Sequence, residues 1–121
     1  MLIVFDSKTG NVERFVQKVE MESLKIESGL IIPEPFVLIT YTTGFGQVPP
    51  SVVEFLKENH HNMQAVAASG NRNWGQNFGK SADIISDLYN VPVIGKFEMF
   101  GTTNDVHNFI EGVMEIETCL A

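Results

Sequence analysis

The chain has 121 residues, 44% of them hydrophobic, enough for one core under a small sheet, and a single domain over residues 1–121 is expected. A formal net charge of −7 argues against a nucleic-acid partner, whose phosphates would be repelled, and suits a basic protein surface instead. The lone cysteine, Cys119, excludes an internal disulfide and a cysteine-held metal; no apolar run reaches a membrane span and residues 1–6 are too few for a signal segment, so a cytoplasmic protein with no membrane partner is expected.

The chain opens on Leu2-Ile3-Val4-Phe5, an unbroken apolar run that reads as a strand buried on both faces. A polar loop with Ser7, Lys8, Thr9 and Gly10 follows. Asn11 then stands where an N-cap belongs, ahead of a helix marked by Val12, Phe15, Val16 and Val19. Strand, hydroxyl-bearing loop and helix start together make an anion site, because unpaired N–H groups and the positive end of the helix dipole point into the loop. Neither a Walker A loop nor a Gly-x-Gly-x-x-Gly fingerprint occurs, so the expected ligand is a terminal monophosphate rather than a pyrophosphate. An ordinary βα turn that carries Ser, Thr and Gly accounts for the same residues.

Residues 23–26 read as a short second strand and residues 36–41 as a third. Only about nine residues separate them, two being Pro33 and Pro35, whereas a parallel crossover takes a dozen or more and usually a helix. An extended loop is expected in its place. Residues 42–50 form a second loop, after which Pro50 and Ser51 open a helix whose buried side is Val52, Val53, Phe55 and Leu56. That helix stops near Asn59, and His60-His61-Asn62 turns into a fourth strand at residues 63–68. The third loop, 69–77, leads to a helix on Phe78, Ala82, Ile85 and Leu88, which Asn90 ends. Residues 91–97 form the last strand, with Pro92 at its start as an edge allows. A final helix rests on Val106, Phe109, Ile110, Val113 and Met114. Five strands alternating with about four helices predict an α/β fold, a doubly wound five-stranded parallel sheet in a three-layer sandwich. Its ligand belongs beyond the carboxyl ends of the strands, where the strand order reverses.

The second and third loops offer a flat aromatic among glycines: Phe45 between Gly44 and Gly46, and Trp74 before Gly75. A planar ligand stacks on such rings while its polar edge bonds to the backbone. Phosphate at one end and a flat polar ring at the other describe flavin mononucleotide (FMN). Partial burial of Trp74 against the neighbouring helix is the plain alternative. The three histidines lack a Cys, Asp or His partner at ligand spacing, so no metal site is expected.

The run Phe-Asp-Ser-Lys-Thr-Gly-Asn-Val at 5–12 resembles the phosphate loop of flavodoxins. With Tyr-Thr-Thr-Gly-Phe-Gly at 41–46, Val-Pro at 48–49, Ser-Gly-Asn-Arg-Asn-Trp-Gly at 69–75 and Phe-Gly-Thr at 100–102, the chain is similar to the NrdI family. These are small flavodoxin-like proteins associated with class Ib ribonucleotide reductase. The resemblance implies a short flavodoxin-like fold in which Ser7, Lys8, Thr9, Gly10, Asn11 and Val12 hold the phosphate of FMN. It implies that Thr42, Thr43, Gly44, Phe45 and Gly46 flank one side of the isoalloxazine, that Asn73, Trp74, Gly75 and Phe78 line the other, and that residues 99–102 close the site from below. It further implies that the reduced flavin, recharged by a flavin reductant or reductase, reacts with O2. The resulting superoxide or peroxide would assemble the dimanganese–tyrosyl radical cofactor of the reductase small subunit. A general electron-transfer flavodoxin, and a phosphate-binding module without redox chemistry, are the alternatives. No Asp or Glu occurs in 40–53 or 69–82, while Arg72 and Lys80 do, so the two one-electron potentials should lie closer together than in acidic shuttles, as a redox titration would read.

Overall fold

The protein is described here by a computed structural model covering residues 1–120. Its strands are β1 (Leu2–Phe5), β2 (Ser23–Lys25), β3 (Phe36–Thr40), β4 (Met63–Gly70) and β5 (Val93–Glu98). Its helices are α1 (Asn11–Val19), α2 (Pro50–Asn59), α3 (Lys80–Tyr89) and α4 (Thr103–Leu120), with 3-10 turns at His60–Asn62 and Arg72–Asn77. All strand pairs are parallel, in the order β2-β1-β3-β4-β5. The expected doubly wound α/β sheet is therefore present. The chain leaves β1 toward β2 on one side and resumes at β3 on the other, so the loops after β1 and β3 meet at the reversal.

Alternation along the strands divides the core into two layers. Ile3, Phe5, Val37, Ile39, Ala65, Ala67 and Phe97 face α1 and α4, whose Val12, Phe15, Val16, Val19, Val106, Phe109 and Val113 cover them. Phe15 stacks on Phe97 with ring centroids 3.9 Å apart and meets Phe109 edge-on at 5.6 Å. Leu2, Val4, Phe36, Leu38, Val66 and Ala68 face α2 and α3, covered by Val52, Phe55, Leu56, Ala82 and Ile85. Such burial, at about 25 cal/mol per Å² of apolar surface, drives the assembly.

No helix joins β2 to β3, as expected. Side chains of the α2 terminus stitch the loop down instead. Asn59, fully buried, accepts from the Ile32 amide at 2.7 Å and donates to the carbonyls of Leu30 (3.0 Å) and Phe55 (2.9 Å). Asn62 donates to the Ile32 carbonyl at 2.9 Å, and Ile32 fills the gap as a buried side chain.

Several expectations are corrected. Asn11 is not the N-cap of α1: that position is Gly10, left-handed at φ 90, and Asn11 is the first helical residue. Phe78 lies outside α3 in extended conformation, because left-handed Gly79 (φ 60) delays the helix to Lys80. Ala82 and Ile85 are buried as expected, but the face continues to the partly buried Tyr89, four residues beyond Ile85, and Leu88 falls off it, 69% exposed. Val53 and Met114 also face solvent, and Asn59 takes the buried place on α2 that Val53 was expected to fill. The fourth strand runs two residues further, to Gly70, and the fifth begins at Val93 rather than at residue 91. Among the described residues no helix is long and apolar enough to cross a membrane.

Candidate functional site

At the upper rim of the sheet lies a cleft of about 470 Å³, lined by Lys8, Thr9 and Asn11 from the first loop, Tyr41 to Gly44 from the second, Ser69, Gly70, Asn71 and Trp74 from the third, and Met99 after β5. Four loops of separate origin thus converge where the strand order reverses.

The first loop is organised by Ser7. Its hydroxyl oxygen accepts from the Gly10 amide at 3.2 Å and the Glu13 amide at 3.4 Å, and its own proton remains to donate. Ser7 therefore caps the start of α1 from outside the helix, the task expected of Asn11. Asp6 fixes the loop's base, accepting from the Ser7 amide at 2.9 Å and from the Ser51 hydroxyl at the start of α2. Among the described residues the amides of Lys8, Thr9, Asn11 and Val12 donate to no protein acceptor. With the Thr9 hydroxyl and the Lys8 ammonium they form a donor-rich cluster at the positive end of a helix, the chemistry a phosphate monoester needs. Val12 contributes its amide alone, since its side chain is buried in the core.

The second loop folds on itself. Thr43 and Gln47 exchange backbone bonds at 2.9 and 2.8 Å, and the Gly46 amide reaches the Thr43 carbonyl at 3.1 Å. Gly44 (φ 53) and Gly46 (φ 117) provide the positive φ angles that this closure demands. Gly46 also lies so close to Lys80 that a Cβ there would come within 2.9 Å of the lysine Cβ. Phe45 is carried at the tip, 84% exposed, and neither it nor Gly46 lines the cleft. Thr42 does line it, but its hydroxyl is already used: it donates to the Ser69 carbonyl and pairs with the buried Ser81 hydroxyl, both at 2.8 Å. That pair ties the second loop to the third.

In the third loop the Asn71 side chain accepts from the Asn73 amide at 2.9 Å, and the Trp74 amide reaches the Asn71 carbonyl at 3.0 Å. The tight turn brings the half-buried Trp74 indole to the cleft, while Asn73 and Gly75 face solvent. The loop is pinned at its base, where a Cβ on Gly70 would sit 2.6 Å from the Gly79 amide nitrogen. Phe78 packs beside this pin under the Arg72 guanidinium, 4.6 Å from the ring centroid, outside the cleft. Of residues 99–102, only Met99 lines the cleft.

The structure thus gathers Lys8, Thr9, Asn11, Thr42, Thr43, Gly44 and Trp74 around one cavity. Ser7, Gly10 and Val12 serve as framework, and Phe45, Gly46, Asn73, Gly75 and Phe78 stand outside it. Tyr41, Ser69, Gly70 and Asn71 join the lining without having been singled out, although all four lie within motifs legible in the chain. Met99 belongs to the 99–102 stretch that the resemblance implies closes the site. The Glu98 carboxylate gave no signal; it accepts from the Arg72 amide at 3.0 Å and brings an acid to a loop free of its own. Among the described residues no group of three or more His, Cys, Asp or Glu could hold a metal ion.

A cleft that joins the donors of Lys8, Thr9 and Asn11 to the Tyr41 and Trp74 rings, with a volume within the usual 300–1,000 Å³ of ligand pockets, suits a phosphate-bearing flavin. Comparison with solved structures finds the same fold in a short-chain flavodoxin associated with a bacterial microcompartment, with a TM-score of 0.73, 15% identity and coverage of 99% of this chain and 97% of that one. A Fusobacterium nucleatum flavodoxin bound to flavin mononucleotide matches with a TM-score of 0.62 and 14% identity over 97% of this chain and 96% of its own. A relative named Protein NrdI from Bacillus licheniformis is 55% identical over 117 residues, which is 96% of this chain and 89% of the relative. The family profile described as NrdI flavodoxin-like matches residues 3–111. By its sequence the chain belongs to the NrdI flavodoxin-like family.

Proposed function

We propose that the chain binds FMN in this cleft and serves the radical-carrying small subunit of a class Ib ribonucleotide reductase. The bound, reduced flavin would supply the chemistry, turning O2 into the superoxide or peroxide that oxidises the subunit's dimanganese centre and leads to its tyrosyl radical. The observation that carries this reading is the row of free amides at Lys8, Thr9 and Asn11, continued by that of Val12, in residues that share one cleft with the Trp74 indole, in a chain of this family.

In this reading the four amides and the Thr9 hydroxyl grip the phosphate, while Ser7 and Gly10 hold the loop in shape. Thr42, Thr43 and Gly44 flank the ring on one side and Trp74 on the other. Asn73, Gly75 and Phe78 support the third loop. Phe45 and Gly46 take part only if the 43–47 turn folds inward, and the backbone freedom of its two glycines allows this. The Thr43–Gly46 backbone is therefore expected to differ between crystals of the oxidised and reduced protein. The protein brings no acid–base pair or nucleophile of its own; it binds, orients and leaves a ring edge open to O2 and a docking partner. A flavin reductase or small reductant returns the electrons.

The test mixes reduced FMN-loaded protein, O2 and the manganese-loaded small subunit, and follows the tyrosyl radical by electron paramagnetic resonance. A radical that depends on this protein supports the reading. Flavin uptake without radical formation leaves a general electron-transfer flavodoxin, and failure to take up FMN overturns the site itself.

A further inference from the structure

The turn that leaves β5 has a construction which the cleft alone does not require. Met99 adopts φ 56, the left-handed region that residues with a side chain seldom occupy. It lines the cleft with Thr9, Asn11 and Trp74, yet 59% of its surface stays exposed, so core packing does not hold it there. The restraints lie on either side. The Lys18 ammonium, on the exposed face of α1, donates to the carbonyls of Phe100 at 3.2 Å and Gly101 at 3.1 Å. The same ammonium stands 4.4 Å from the centroid of the Phe100 ring, with the Arg14 guanidinium at 5.4 Å. Gly101, at φ 75, presses on Phe15 so closely that a Cβ would come within 2.7 Å of that ring. Upstream, the Glu98 carbonyl accepts from the Gly101 amide at 3.0 Å, and the Glu98 carboxylate holds the Arg72 amide of the Trp74 loop.

Residues in sparsely populated backbone regions persist where their surroundings over-determine them, and they gather at ligand clamps. Glycine would relieve the strain at position 99, so a side chain retained there points to use of the side chain. A methionine thioether is soft, polarizable and well suited to the edge of an aromatic system. We propose that Lys18, although it does not line the cleft, is the positioning residue of this turn, which the family resemblance implies closes the site, and that it winds residues 98–101 into a clamp holding Met99 on the bound flavin. The inference rests on the reading of the cleft as an FMN site. Lys18 donates to the consecutive carbonyls of Phe100 and Gly101 and thereby keeps the turn wound; without it Met99 relaxes toward an extended conformation and leaves the cleft.

The test uses the full chain as wild type, Met99→Gly, Lys18→Met and the double variant, with FMN binding read from quenching of flavin fluorescence and the apo proteins melted in parallel. Met99→Gly should raise the apo melting temperature, because glycine accepts the left-handed conformation, and yet weaken FMN binding about tenfold with a shift in the bound flavin's visible band. Lys18→Met should weaken binding several-fold, and the double variant should bind no more weakly than Met99→Gly alone, the mark of one residue acting through another. A Met99→Gly protein that binds FMN as tightly as wild type, or that melts lower, overturns the clamp. So do two single effects that simply add. A wild-type chain that leaves FMN fluorescence unquenched overturns the FMN reading first, and the clamp with it.

Discussion

At the scale of single residues, the loop after β1 depends on a serine more than on the asparagine that its sequence advertises. Ser7 satisfies the Gly10 and Glu13 amides at once. Ser7→Ala should therefore cost about 1 kcal/mol of stability, as loss of a helix cap does, and weaken FMN about tenfold. A urea melt and a flavin-quenching titration measure the two effects; unchanged FMN affinity would mean that the loop holds its shape without the hydroxyl. The chain announced a hydroxyl in this loop, but not its partner six residues on, because that reach exists only once Gly10 turns left-handed. Trp74 was legible as a ring among glycines. Phe45 carried the same signature and stands in solvent, since the bonds that close the 43–47 turn carry its tip outward. Those bonds are backbone to backbone, and side-chain identity does not encode them directly.

At the scale of elements, the crossover from β2 to β3 shows how a fold dispenses with a helix. Its brevity and two prolines made the loss readable in the chain. The repair was hidden, because Asn59 reads as a residue where a helix stops and is instead a buried bracket for three backbone groups. Asn59→Leu keeps the branching and the number of heavy atoms but strips the Ile32 amide and the Leu30 carbonyl of their partner. We expect a loss of about 2–3 kcal/mol by urea denaturation, since buried unpaired polar groups cost this order of free energy. Near-native stability would show that the loop finds other acceptors. The third helix teaches the converse. Counting by three from Ile85 picks Leu88 as buried, whereas the face continues to Tyr89 at four, and apolar character alone favours the leucine over the tyrosine that packs there.

At the scale of the molecule, the alternation of apolar strands with amphipathic helices was enough to give the sheet, its two covered faces and the rim where the loops converge. The positions of exposed side chains on those loops were not, since they follow turn closures rather than burial. A net charge of −7 acts at this scale too. Association with a basic partner surface should be steered electrostatically, so its rate should fall several-fold between low and physiological ionic strength, where the screening length is about 8 Å. Stopped-flow mixing with the reductase small subunit at several salt concentrations measures this, and a rate indifferent to salt would mean that the acidic surface does not face the partner. The border of the sheet at β2 has a consequence of its own. This strand is three residues long, ends in the exposed Lys25 and leaves Leu24 45% exposed on the side where a crossover helix is missing. An open row of amides and carbonyls invites a neighbour's strand to zip on and seed fibrils, and so short a ladder tipped with a lysine offers it almost nothing to grip.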